Sequence, residues 1–191
     1  MKTKDLTDII KNRRATPPRF LDKKEISKET IQQILENANW APNHKKTEPW
    51  RFKVFTGDSK QKLSNEIFEL LLRKIAEGHA INPQKAEKLK ATLQRVPVAI
   101  AIILERDIAE RIPEWEELAA VSMAVQNMWL TATSMNLGGF WATPKFLPIL
   151  ENLLELKPRQ KALGFFYVGK IALDYPNPGR GDIASKIEWK D

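Results

Sequence analysis

Residues 97–104 read Pro-Val-Ala-Ile-Ala-Ile-Ile-Leu, a run without one polar side chain. Its β-branched residues are stiff at χ1 and fit a pleated surface. A strand with one wet face would alternate polar and apolar residues. This one does not, so the run predicts a central strand covered on both sides. Downstream, residues 114–136 predict a long helix whose middle, 119–130, is apolar nearly all round. Such a helix is buried on most sides, and in a chain of 191 residues that suggests a subunit interface. Gly138-Gly139 predicts its end.

Upstream, residues 4–14 carry Leu6, Ile9 and Ile10 at helical spacing and stop before Pro17-Pro18. Ser27 is a suitable N-cap with Thr30 at N3. Ile31, Ile34, Leu35 and Ala38 then line one face of a second helix that ends near Trp40. Residues 51–56 predict a strand closed by Gly57-Asp58, and 60–76 a third helix with Leu63, Ile67, Leu70 and Leu71 inward. Residues 78–94 are polar, lysine-rich and helical in pattern with few apolar anchors. They predict a solvated excursion, around 68–95, as the most mobile part of a single domain spanning 1–191. Another strand is expected at 165–171, then a Pro/Gly-rich tail over 175–191. No internal repeat or low-complexity tract interrupts the chain. Helices flanking a few strands make the class α+β.

Composition narrows the chemistry. Lys+Arg exceed Asp+Glu by 31 − 24 = 7 charges, and the pI is near 9.5. Such a balance favours anionic partners without choosing among phosphates, nucleotides, nucleic acid and acidic membranes. The absence of cysteine excludes disulfides, thiolate nucleophiles, Fe–S clusters and thiolate-bound zinc, and leans towards a reducing cytoplasm. The N-terminus lacks the apolar run of a signal peptide. The longest apolar stretch, 119–130, is interrupted by Gln126 and Asn127, so no membrane span is expected. Two histidines without acidic clustering argue against a metal site.

Four segments could carry function. Residues 41–52, Ala-Pro-Asn-His-Lys-Lys-Thr-Glu-Pro-Trp-Arg-Phe, form a cationic loop between a helix and a strand. Its prolines remove amide donors, and its polarity excludes core packing. It reads as a surface that meets a flat anionic ligand, or simply as a solvated basic loop. Arg13-Arg14 could complement a helix C-terminus, or clamp phosphate with fixed guanidinium donors. Residues 137–144, Leu-Gly-Gly-Phe-Trp-Ala-Thr-Pro, could be a helix cap or a place where backbone closely approaches a ligand. They lack the Gly-x-Gly-x-x-Gly of dinucleotide-binding folds. Arg180 lies in a Pro-Gly-Arg-Gly loop, and Glu116-Glu117 read as dipole partners at a helix N-terminus.

In order and spacing these segments resemble the nitroreductase family of FMN enzymes, over nearly the whole chain. The resemblance is closest to a small subgroup with an Ala-Pro-Asp/Asn-His-Lys loop. It implies a nitroreductase-like sheet flanked by helices, and an intertwined homodimer with a long buried central helix. Arg13, Arg14 and Ala15 match the Arg-Arg-Ser motif that holds the FMN phosphate and ribityl chain. Ala15 stands where Ser is usual, with Thr16 as an alternative hydroxyl. Asn43, His44 and Lys46 match the loop against the flavin edge, although Lys46 and Glu48 replace the commoner Asn and Gln. Trp40 would border the partner's flavin. The backbone at Trp141, Ala142 and Thr143 would lie along the ring and stabilise negative charge on reduced flavin, and Arg180 would be a further phosphate contact. Residues 187–189, Ile-Glu-Trp, resemble a family ending that packs across the partner.

The resemblance further implies NADH or NADPH as donor and a nitroaromatic, quinone or similar small-molecule acceptor in turn. No side chain need act as acid or base, because the flavin carries the chemistry. Two other readings stay open. One is an FMN-binding relative acting on flavin itself or on a specialised substrate. The other is a basic nucleic-acid-binding module, against which stand tryptophans that mostly fall in predicted helices or strands without interleaved basic residues, and no recognisable binding signature.

Overall fold

The computed structural model describes residues 3–173, 176 and 179–190. Part of the Pro/Gly-rich tail, including Tyr175, Asn177, Pro178 and Asp191, lies outside the described residues. Five helices, α1 (Thr3–Asn12), α2 (Lys28–Ala38), α3 (Gly57–Ala76), α4 (Pro83–Arg95) and α5 (Glu114–Ser134), surround four strands. These are β1 (Trp50–Phe55), β2 (Val98–Glu105), β3 (Leu137–Ala142) and β4 (Gln160–Lys170). The sheet order is β1-β2-β4-β3, and every adjacent pair is antiparallel.

β2 is central, as its composition requires. Val98, Ile100, Ile102 and Leu104 face a core shared with α2 and α5. Ala99 and Ala101 face a second core built with α3 and α4. β4 divides its side chains the same way, with Phe166 and Val168 in the first core and Phe165 and Tyr167 in the second. Continuous apolar strands are typical of parallel sheets, but the physical requirement is two covered faces, and helices supply both here.

Local chemistry sets most boundaries. The Ser27 hydroxyl accepts the Thr30 amide at 3.2 Å and starts α2. Asn82 accepts the Gln84 amide at 2.9 Å, with Pro83 opening α4. α4 is better anchored than its lysines suggest. Ala86, Leu89 and Leu93 are buried, and the buried Lys60 ammonium donates to the Leu93 carbonyl at 2.9 Å.

Gly138-Gly139 does not end α5. That helix stops at a left-handed Asn136 (φ 57°), and both glycines lie inside β3. Their missing side chains admit neighbours of the same chain. A Cβ on Gly138 would stand 2.7 Å from Leu21 and 2.9 Å from Thr16. One on Gly139 would stand 2.6 Å from Phe166 and 2.9 Å from Trp129. The close approach expected at this corner is therefore intramolecular packing. Residues 15–22 run beside this edge: Ala15 bridges Gly139, the Thr16 amide donates to the Gly139 carbonyl at 2.8 Å, and Leu21 bridges Ile171.

Candidate functional site

The chain leaves α1 at Asn12, and pairing with β3 fixes the path of the residues after it. Arg13 lies over the Trp129 ring, 4.8 Å from its centroid. The Trp129 indole N–H donates to the Arg14 carbonyl at 3.1 Å. α5 thus presents one tryptophan as a platform for both arginines. Burial, with the like charge of Arg180 second, pushes the Arg13 guanidinium below its ordinary value. A partly desolvated guanidinium favours an anionic partner. Arg14 turns into a cleft of about 410 Å³ with Asn12, Thr16 and Asn136. Ala15 is exposed, whereas Thr16 is buried with its Cβ and Cγ2 against Gly138.

Trp141, Ala142 and Thr143 continue the same edge. β4 carries an extra residue, Leu163, where its register with β2 shifts. The Trp141 indole N–H donates to the Leu163 carbonyl at 3.1 Å, so it is already engaged within the chain. Gly164, at φ 133°, allows this crossing, because a Cβ there would lie 2.3 Å from the Ala142 carbonyl oxygen. Trp141 and Ala142 are half-buried and Thr143 is exposed.

The basic loop precedes the opposite edge strand, β1. Lys45, Lys46 and Glu48 all have positive φ (51°, 54° and 43°), a concentration of left-handed non-glycine residues that local hydrogen bonding cannot explain alone. Tertiary contacts hold it. Asn43 accepts the Glu48 amide at 3.0 Å, and Arg51 donates to the Glu48 carbonyl at 2.7 Å. His44 Nδ1 lies 2.6 Å from Glu116, and Lys45 donates to the Arg111 carbonyl at 3.3 Å. Lys46 is exposed and makes none of the hydrogen bonds or ion pairs found among the described residues. Trp40, at the foot of α2, is 84% exposed.

Glu116 and Glu117 do more than complement a helix dipole. Glu116 reaches the basic loop. Glu117 is fully buried, accepts Arg106 Nε at 2.5 Å and accepts the Asp107 amide at 2.9 Å. These partnerships, and the place of Trp129 beneath the arginines, carry no sequence signal. The paired residues lie 72 positions apart for His44–Glu116 and 115 for Arg14–Trp129.

The candidate residues therefore form two groups. Arg13, Arg14, Ala15, Trp141, Ala142 and Thr143 gather about the β3 edge, with Arg180 in the tail; Trp40, Asn43, His44 and Lys46 gather before β1. β3 and β1 are the two outer strands of the sheet. Three inter-strand steps of about 4.8 Å separate them by roughly 14 Å. A larger cleft of about 500 Å³, between α2 and the start of α3, contains none of them.

Residues 10–170 match the model of the family described as the Nitroreductase family. A Bacillus subtilis (strain 168) protein named "Putative NAD(P)H nitroreductase YfhC" is 31% identical over 142 residues, covering 74% of this chain and 71% of that protein. Among solved structures, a nitroreductase-like family protein from Bacillus cereus superposes with a TM-score of 0.83 at 24% identity, covering 100% of this chain and 98% of the other. The FMN-dependent nitroreductase NfnB from Mycobacterium smegmatis, solved in complex with NADPH, gives 0.77 at 15% identity, with both chains fully covered (100%).

Proposed function

The chain belongs to the nitroreductase family, and from that premise we propose that it is a homodimeric flavin oxidoreductase holding FMN between its two copies. Arg13 and Arg14 supply the observation that carries this reading. The Arg13 guanidinium lies 4.8 Å over the Trp129 ring and Arg14 lines the neighbouring cleft, beside the strand that ends in Trp141 and Ala142. That donor set suits a phosphate beside a planar ring. FMN, when bound, would supply the redox chemistry that links NADH or NADPH as donor to a nitroaromatic, quinone or similar acceptor.

The protein's part is binding and orientation. Arg13 and Arg180 neutralise phosphate. The backbone over 141–143 lines the ring, and the Trp141 indole contributes its face because its N–H is engaged by Leu163. Lys46 is a cation that the strained loop leaves exposed and without a hydrogen bond or ion pair among the described residues, and Trp40 is an exposed wall preceding the loop. Because the two groups sit on opposite outer strands, a second copy that lays its loop against the first copy's β3 edge completes the site. Exposed Trp115, Leu118 and Met123 on α5 support such an apolar contact.

The test is optical. Purified protein is expected to carry, or to acquire on adding FMN, bound-flavin absorbance, with Arg13→Ala weakening FMN binding about tenfold or more. NADH or NADPH should bleach that absorbance under anaerobic conditions. Protein that gains no flavin absorbance at saturating FMN rules the reading out.

A further inference from the structure

We infer that Glu116 is a positioning residue for His44: it fixes the imidazole with Nδ1–H towards α5 and leaves Nε2 as a hydrogen-bond acceptor for an N–H or O–H group of the ligand. The inference rests on the FMN reading above.

Glu116 lies in the first turn of α5, and its Oε2 is 2.6 Å from His44 Nδ1. An ionised carboxylate only accepts hydrogen bonds, so the proton in this contact sits on Nδ1. In a neutral imidazole the other nitrogen is then bare and can only accept. No described residue meets Nε2, and 55% of the His44 side chain is exposed against 24% for Glu116. The ring is thus tied on one side and open on the other.

The tie has a rigid base. Glu116 sits beside Glu117, which is fully buried and holds Arg106 at 2.5 Å. Lys45 anchors to the Arg111 carbonyl on the same connection. The loop backbone at Lys45 and Lys46 is left-handed and needs such outside support. His44 has the arrangement seen at metal and catalytic histidines, where a carboxylate on one nitrogen selects the tautomer presented by the other.

Labour is divided within the loop. Lys46 carries the positive charge, and His44 is the acceptor. FMN offers matching donors, the ring imide N–H and the ribityl hydroxyls. NAD(P)H offers its carboxamide and ribose hydroxyls.

The experiment compares wild type, Glu116→Ala, His44→Ala and the double variant. The first readout needs no cofactor. In ¹⁵N-resolved spectra of the imidazole at a pH where it is neutral, wild-type His44 should carry its proton on Nδ1, and Glu116→Ala should shift it to Nε2 or to a mixture. The second is FMN affinity by fluorescence titration. Glu116→Ala should weaken binding about fivefold to tenfold, the scale of one polar contact. In the His44→Ala background the same change should have an effect within about twofold of none, as a shared contact requires. Thermal melts of the FMN-free proteins separate a general loss of fold from loss of the contact. An unchanged tautomer in Glu116→Ala, or equal losses in both backgrounds, overturns the positioning role. If wild type binds FMN poorly while the tautomer still depends on Glu116, the proposed function fails and the dyad stands. If FMN affinity is unaffected and NAD(P)H affinity drops, the flavin as Nε2's partner is overturned.

Discussion

Gly139 shows how much one residue can decide. Its Cα faces Phe166 and Trp129, and Trp129 in turn carries Arg13 on its ring face and the Arg14 carbonyl on its N–H. A methyl at this position meets two rigid aromatic rings in a packed interior, where there is little room to yield. Gly139→Ala is expected to lower stability by about 1–3 kcal/mol in urea unfolding, and to weaken FMN binding because the platform under the arginines moves. An unchanged unfolding midpoint would mean that the rings have space to retreat. The amino-acid order marks Gly138-Gly139 as unusual, but as a helix end facing a ligand. The difference arises because a Gly-Gly pair signals close approach without saying what approaches. Asn136, a residue that tolerates αL, already supplies the turn.

At the scale of elements, the β2–α5 connection links the sheet to the basic loop. Glu117 anchors it from within, and Asp107 closes it by accepting Arg111 Nε and Nη2 at 2.7 and 2.9 Å. The Arg111 hydrogen bonds hold the Asp107 carboxyl at about 2, down from its ordinary 3.8. A depressed folded value means the contribution is complete above pH 3.8 and disappears as pH falls through about 2. Urea midpoints measured from pH 5 to pH 2 should therefore fall less steeply in Asp107→Asn than in wild type, because the variant has no proton to take up there. Equal slopes would remove this contact as an acid-sensitive link. None of it is visible in the sequence, where residues 105–113 fall between the predicted strand and the predicted helix. By contrast, the caps at Ser27 and Asn82, the buried run of β2 and the extent of α5 rest on local chemistry. α4 lies between these cases. Its lysines suggest solvent, but Ala86, Leu89 and Leu93 recur at helical spacing and find α3.

For the whole molecule, the exposed stripe of α5 is the main question. The middle of the helix is apolar nearly all round, and Trp115 (68% exposed), Leu118 and Met123 remain outside the chain's own two cores. Apolar surface of this kind favours association. Sedimentation should give about twice the 21.9 kDa chain mass. Met123→Glu, at a surface position that tolerates charge in a folded single chain, should give the chain mass and lose FMN together. A monomer that still binds FMN tightly would show that one copy holds the whole site.

From the amino-acid order alone come the α+β class, the central strand and most helix faces. These rest on periodicity, capping and composition, which act over a few neighbouring positions. Tertiary structure alone decided that the glycine pair packs inward, that Trp129 supports the arginines, that Glu116 holds His44, and that the candidate residues divide between two outer strands. Those outcomes join residues tens of positions apart. Their physical basis is which surfaces meet when the two faces of the sheet are covered, and no local pattern along the chain encodes that.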